Sequence, residues 1–126
     1  MNEINKDQLI QAEENLNIAT VGDDIYHDLT LPSNVIGRIM YRKLNNQNVI
    51  EIYADGSYRG IKGTATIGIL PEGFRPTAVS SIFGYAENNT AWSINDLFIY
   101  PDGTMLIPAG ANDQMRGYAF FGVIRL

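Results

Sequence analysis

From Val35 onward the chain alternates. In VIGRIMYRKL (35–44), Val35, Ile39 and Tyr41 fall on one side of an extended chain and Arg38 and Arg42 on the other. That period of two marks a half-buried strand. The polar run Asn45–Asn48 reads as a turn, after which Ile50 and Ile52 open the inward side of a second strand. Asp55-Gly56 supplies a hairpin signal, because both residues accept the positive φ values of tight turns. Ala65, Ile67 and Ile69 form another inward row, with Thr64 and Thr66 opposite. Strands then read over Val79–Ala86 and Ala91–Tyr100, parted by Glu87–Thr90. Pro101–Thr104 turns the chain into Met105 and Ile107, and Met115–Leu126 closes it with Tyr118, Phe120, Ile124 and Leu126 on one side.

Between the rows, Leu70-Pro71-Glu72-Gly73-Phe74-Arg75-Pro76 is a corner. Pro71 donates no backbone hydrogen bond and ends a strand, while Pro76 delays the next one. Gly73 permits the reversal, Phe74 is able to reach back toward the core, and Glu72 and Arg75 read as a solvated pair. Seven to eight short strands with turns about every 8–12 residues, and no helical pattern between them, predict an all-β fold: an antiparallel β-sandwich or compact β-barrel.

The N-terminal part differs. Residues 4–17, INKDQLIQAEENLN, hold good helix formers with Leu9, Ala12 and Leu16 on one side. A helix this short is marginal alone, so its stripe needs a partner, either its own domain or copies of itself. Residues 18–34 read as a linker ending at Leu31-Pro32-Ser33. The chain thus divides into an N-terminal helix and linker, 1–33, suited to attachment or oligomerisation, and a β-head, 34–126.

Composition narrows the possibilities. With 126 residues, 45% of them apolar, the chain builds one cored domain. It has no cysteine and one histidine, which removes disulfides, thiolate zinc sites, cysteine nucleophiles and histidine relays within one chain. The net charge of −5 is concentrated at the start: residues 1–33 carry −6 and the rest +1. A nearly neutral body with six scattered arginines is no nucleic-acid surface. No apolar run is long enough for a transmembrane helix, and MNEINKDQL lacks the basic start and apolar stretch of a signal peptide, so synthesis in the cytoplasm is expected.

Candidate chemistry is sparse. Sugar sites pair an aromatic face, which covers the C–H side of a ring, with amides, carboxylates or arginine that reach its hydroxyls. Trp92, the sole tryptophan, follows the Glu87–Thr90 turn, and Asn95 and Asp96 follow it on the same strand. Trp92 and Asp96 share one side of that strand. Tyr85 and Arg116, each beside a loop, complete the set. The bland alternatives stand beside it: Trp92 capping the core, Asp96 solvated or ion-paired, Tyr85 and Arg116 structural. His27 reads as a solvated or capping residue. Asp23, Asp24 and Asp28 lack the alternating oxygens and glycine of a calcium loop. With no G-x-S-x-G, no phosphate loop and no histidine for a triad, no catalytic residue, cofactor or metal is expected.

The order of features resembles a known family. The residues LPEGFRP (70–76), Trp92 with Ile94, IYPDG (99–103) and the closing strand Gly117–Leu126 are similar to the head domain of lactococcal-type phage receptor-binding (lower baseplate) proteins. The resemblance covers about residues 35–126. It implies a virion protein whose trimeric β-barrel heads bind saccharides of the host cell wall, often near subunit boundaries. It also implies an N-terminal part that joins other tail or baseplate proteins, a role open to residues 1–33. The long neck between anchor and head is here reduced to Leu31-Pro32-Ser33. A structural tail component without a receptor site, and a monomeric carbohydrate-binding or adhesion module, are the other readings.

Overall fold

The computed structural model describes residues 25–44, 48–59, 63–88, 91–111 and 115–126. The helix read over 4–17 lies outside them. Among the described residues there is no helix, and eight antiparallel strands form one sheet curled into a half-barrel. They are β1 (His27–Asp28), β2 (Val35–Lys43), β3 (Val49–Tyr58), β4 (Gly63–Ile69), β5 (Ser80–Asn88), β6 (Ala91–Ile99), β7 (Thr104–Ala111) and β8 (Arg116–Arg125). Their order across the sheet is β1-β2-β3-β8-β5-β6-β7-β4, so the last strand returns to lie between β3 and β5.

Alternation sorts the side chains as the sequence pattern requires. Ile39 and Tyr41 of β2, Ile50, Ile52 and Ala54 of β3, Leu97 and Ile99 of β6, and Tyr118, Phe120 and Ile124 of β8 are buried on the concave side. Met105 and Ile107 of β7 join them, and no polar or charged residue among those described is buried there. A sheet that curls buries one face against itself, so this single cluster is the whole core.

The two margins of the sheet meet through side chains. Leu29 lies over Gly68, where an added Cβ would stand 2.5 Å from its Cδ2. Beside it, Asn34 donates from Nδ2 to the carbonyl of Arg59 at 2.7 Å and, more weakly, to that of Thr66 at 3.5 Å. The segment that reads as a linker from sequence therefore contributes β1 and seals the seam.

The corner at 70–76 is a packed device. Leu70 N–H donates to Gly103 O at 2.9 Å and Phe74 N–H to Pro71 O at 3.2 Å. Phe74 reaches back as expected, edge-on to Tyr41 at 4.8 Å and beside His27 at 5.5 Å. His27 is thus a packing residue between two rings. Arg75 departs from its solvated reading, because its Nε donates to Leu70 O at 2.7 Å and holds the corner closed. In the facing turn, Asp102 accepts from Thr104 N–H at 2.9 Å, and that bond is the first cause holding its carboxyl below the usual range.

Two expectations are corrected. Asp55-Gly56 makes no hairpin: β3 runs through it to Tyr58, and Gly56 stands opposite Gly37 of β2. Gly37 has φ +119°, and a Cβ there would meet Asp55 O at 2.2 Å, so the pair of glycines serves a close backbone approach in the ladder. Ile69 is exposed instead of inward, because the register shifts between Thr66 and Gly68 and a bulge turns the strand end over.

The Tyr118 hydroxyl is sealed in the core and has no hydrogen-bond partner among the described residues. Burial first, and the charge of Asp55 second, push its phenol up to about 12. Burial likewise raises Tyr58, whose hydroxyl donates to Glu87 O at 3.1 Å. A raised folded pKa favours the protonated form, so its stabilising effect holds below the unfolded value near 10 and is lost as pH rises toward about 12. Urea unfolding at pH 7 and at high pH checks this. Tyr118→Phe should flatten part of the alkaline loss while staying within about 1 kcal/mol of the wild type at pH 7, since the hydroxyl removed makes no bond.

Candidate functional site

The convex side of the sheet is where the sequence departs from a plain inside-outside pattern. Along β5 the small residues Gly84 and Ala86 turn inward, whereas Phe83 and Tyr85 turn out. The concave side forces this arrangement: a Cβ on Gly84 would stand 2.5 Å from the Phe120 ring and 2.2 Å from Ala119 O. Large rings on β8 occupy the interior, so β5 carries its own rings outside. Phe83 is 71% exposed, Ile94 72%, Phe121 59% and Trp92 53%.

Register gathers these residues. Tyr85 pairs with Ile94 of β6 and with Ala119 of β8, Phe83 with Asp96, and Glu87 with Trp92. Phe121 pairs with Tyr53 of β3, their rings edge-on at 6.5 Å. The result is an outward apolar surface across β3, β8, β5 and β6.

Trp92 has a seat of its own. The indole crosses β5 and lies on Gly117 of β8, where a Cβ would come within 2.5 Å of its Cη2 and 2.6 Å of its Cζ2. Beside the ring, Glu87 Oε1 accepts from Gly117 N–H at 2.9 Å, which fixes the carboxylate next to the indole edge. A side chain at 117 would displace the indole. The ring meets backbone at Gly117 and yet stays 53% exposed. Trp92 thus lies on the convex side, outside the core cluster.

Of the residues singled out from sequence, the structure brings Trp92, Tyr85 and Asp96 together on the convex side. Asn95 points to the opposite side of β6, with Nδ2 donating to Ser93 Oγ at 2.9 Å. Arg116 pairs in register with buried Tyr58 at the concave end, where its charge acts on that phenol, so it stands apart from the Trp92 surface. Glu87, Phe83, Ile94 and Phe121 escaped sequence reasoning. The adjacent Phe120-Phe121 pair was a usable signal, since neighbouring residues of a strand face opposite ways and one ring must lie outside.

A second opening, a cavity of about 840 Å³, lies at the seam between β4 and the chain before β2. Thr30, Asn34, Arg59, Thr64 and Thr66 line it together with Leu31, but no aromatic ring does. The convex surface offers what the seam does not: flat apolar rings bordered by the carboxylates Glu87 and Asp96. Chemically it can cover the C–H face of a ligand and accept hydrogen bonds from its hydroxyls.

No protein-family model matches the chain, and a search of curated proteins finds no match. No helix among the described residues is long and apolar enough to cross a membrane.

The seat of Trp92 is directly testable. Gly117→Val should drive the sole tryptophan off β8, seen as a red shift and altered quenching of its fluorescence, with the far-ultraviolet circular dichroism of the sheet retained. An unchanged emission spectrum would mean that the indole does not rest on residue 117.

Proposed function

We propose that the protein is a non-enzymatic receptor-binding head of a phage tail, carried in the virion, that attaches to host cell-wall saccharide through its convex surface. The observation behind this is Trp92: a lone, half-exposed indole resting on Gly117, with Glu87 beside it and Tyr85 and Asp96 on the same side. A hexose stacks its C–H face on such a ring while the carboxylates take its hydroxyl protons. Trp92, Tyr85 and Asp96 form the first contact set, with Glu87 added by the geometry. Asn95 and Arg116 take no direct part, since they lie on the other side of the sheet.

The resemblance in the sequence supports the same role and adds a homotrimer joined to other tail proteins through residues 1–33. Three weak sites on one particle bind jointly far more firmly than each alone, so a shallow platform is sufficient. The breadth of exposed apolar residues, Phe83, Ile94 and Phe121 above all, favours a second reading, a structural tail component whose convex side meets a protein neighbour.

Binding to cell-wall polysaccharides of Gram-positive bacteria separates the two readings. Trp92→Ala should weaken retention on the responsive polysaccharide by about tenfold or more, roughly 1.4 kcal/mol, and leave the melting temperature nearly unchanged because the ring lies outside the core. Failure of the wild type to bind any wall polysaccharide would favour the structural component. Loss of folding in Trp92→Ala would return Trp92 to the structural class.

A further inference from the structure

The seam cavity is built from the two margins that close the sheet. One wall is the chain ahead of β2, with Leu31 and Pro32, and the other is the outward side of β4, with Thr64, Thr66 and Ile69. Its volume of about 840 Å³ lies within the roughly 300–1,000 Å³ that small-ligand sites occupy.

Ile69 reaches this wall through the bulge in β4. The register shift between Thr66 and Gly68 leaves Gly68 buried under Leu29 and turns Ile69 outward, 56% exposed. Plain alternation would bury Ile69 in a row with Ala65 and Ile67 and leave the wall without an apolar side chain of that size. Re-aiming a side chain in this way is a recurrent use of bulges beside binding sites.

Arg59 is held beside the same cavity by its backbone. Its N–H donates to Asn34 O at 2.9 Å, and Asn34 Nδ2 donates to Arg59 O at 2.7 Å. Among the described residues that line the cavity, Arg59 carries the one charged side chain, and no ion pair or side-chain hydrogen bond to a described residue occupies its guanidinium. Apolar walls with a single unbalanced cation select a ligand that has one negative charge and an apolar body. A guanidinium takes a carboxylate through two parallel N–H···O bonds, and the hydroxyls of Thr64 and Thr66 add further donors. A phosphate dianion calls for more than the one cation present.

We propose that the seam cavity binds a small aliphatic carboxylate, its charged end on Arg59 and its chain along Leu31, Pro32 and Ile69. This goes beyond the saccharide reading and stands without it, since the cavity shares no residue with the Trp92 surface. The ligand touches both margins, so it bridges the seam next to the contact of Leu29 with Gly68. It therefore binds the closed sheet in preference to an opened one and stabilises the fold by mass action.

Octanoate below its micellar concentration, added to the full-length protein, is the probe. It should raise the melting temperature in step with its concentration, and the methyl signals of Leu31 and Ile69 should shift along one saturating curve. Arg59→Gln should weaken that binding about tenfold or more, because a charge-assisted pair is lost, and octanol should bind the wild type more weakly by a similar factor. Ile69→Glu should abolish binding by placing a second anion in the path of the chain. Both side chains are exposed, so both variants should keep the far-ultraviolet circular dichroism of the sheet. Absence of saturable binding would overturn the proposal. Octanol binding as tightly as octanoate, binding that survives Ile69→Glu, or shifts at Phe83 and Phe121 in place of Leu31 and Ile69 would overturn it too. Saccharide retention through Trp92 without octanoate binding would remove the seam site alone and leave the receptor reading intact.

Discussion

One antiparallel sheet can bury a face only by curling until its margins meet, and the whole structure answers to that requirement. Eight strands supply the arc, and Leu29 seated on Gly68 and Asn34 donating to the Thr66 carbonyl close the seam. These contacts are side-chain contacts, so closure depends on residues at particular positions and on an absent Cβ at 68. A ladder there would have been indifferent to side-chain identity. The corner at 70–76 supports the same closure from one end, with Arg75 bonded to Leu70 and Phe74 packed edge-on against Tyr41 and His27.

Curling also sets what faces out. The interior of a small arc is limited in volume, and Tyr118, Phe120 and the isoleucines of β2 and β3 fill it. Across from them β5 has to be small, which puts Gly84 and Ala86 inside and leaves Phe83 and Tyr85 outside. The same logic places Trp92 on Gly117. On β5 the small residues face inward and the rings face solvent, whereas β8 shows Phe121 outside while Tyr118 and Phe120 fill the interior. Outside the core, Trp92 rests on the backbone at Gly117, and Tyr53 and Phe121 meet edge-on.

Much of this was legible in the residues. The period-two rows of β2, β6 and β8, the turns at Pro101–Thr104, and the inward reach of Phe74 all follow from local rules that the tertiary structure respects. Trp92 and Asp96 were placed on one side by alternation alone, and the ladder keeps that alternation intact through β6. What failed was what depends on a neighbour strand. Asp55-Gly56 has the residues of a hairpin, but Gly37 lies opposite and the two accommodate each other within a ladder. Ile69 follows the alternation of its own strand until a bulge at the pairing with β7 overturns it. Asn95 belongs to the same strand as Trp92 and yet bonds Ser93 on the other side, because contiguity in sequence is separation across a sheet. Glu87 was read as a turn residue, and only the return of β8 beside β5 shows its carboxylate bonded to Gly117 next to the indole.

The core lies on the concave side of the sheet, and the convex rings stand outside it. Hydrogen exchange on a variant with Phe83, Tyr85, Trp92 and Phe121 all replaced by threonine tests it most directly, since threonine keeps strand propensity while removing the rings. The account expects the amides shared by β3, β8 and β5 to remain the slowest in the molecule, exchanging only through global opening. Rapid exchange throughout that ladder would contradict it, and would show that the outward rings hold the sheet together.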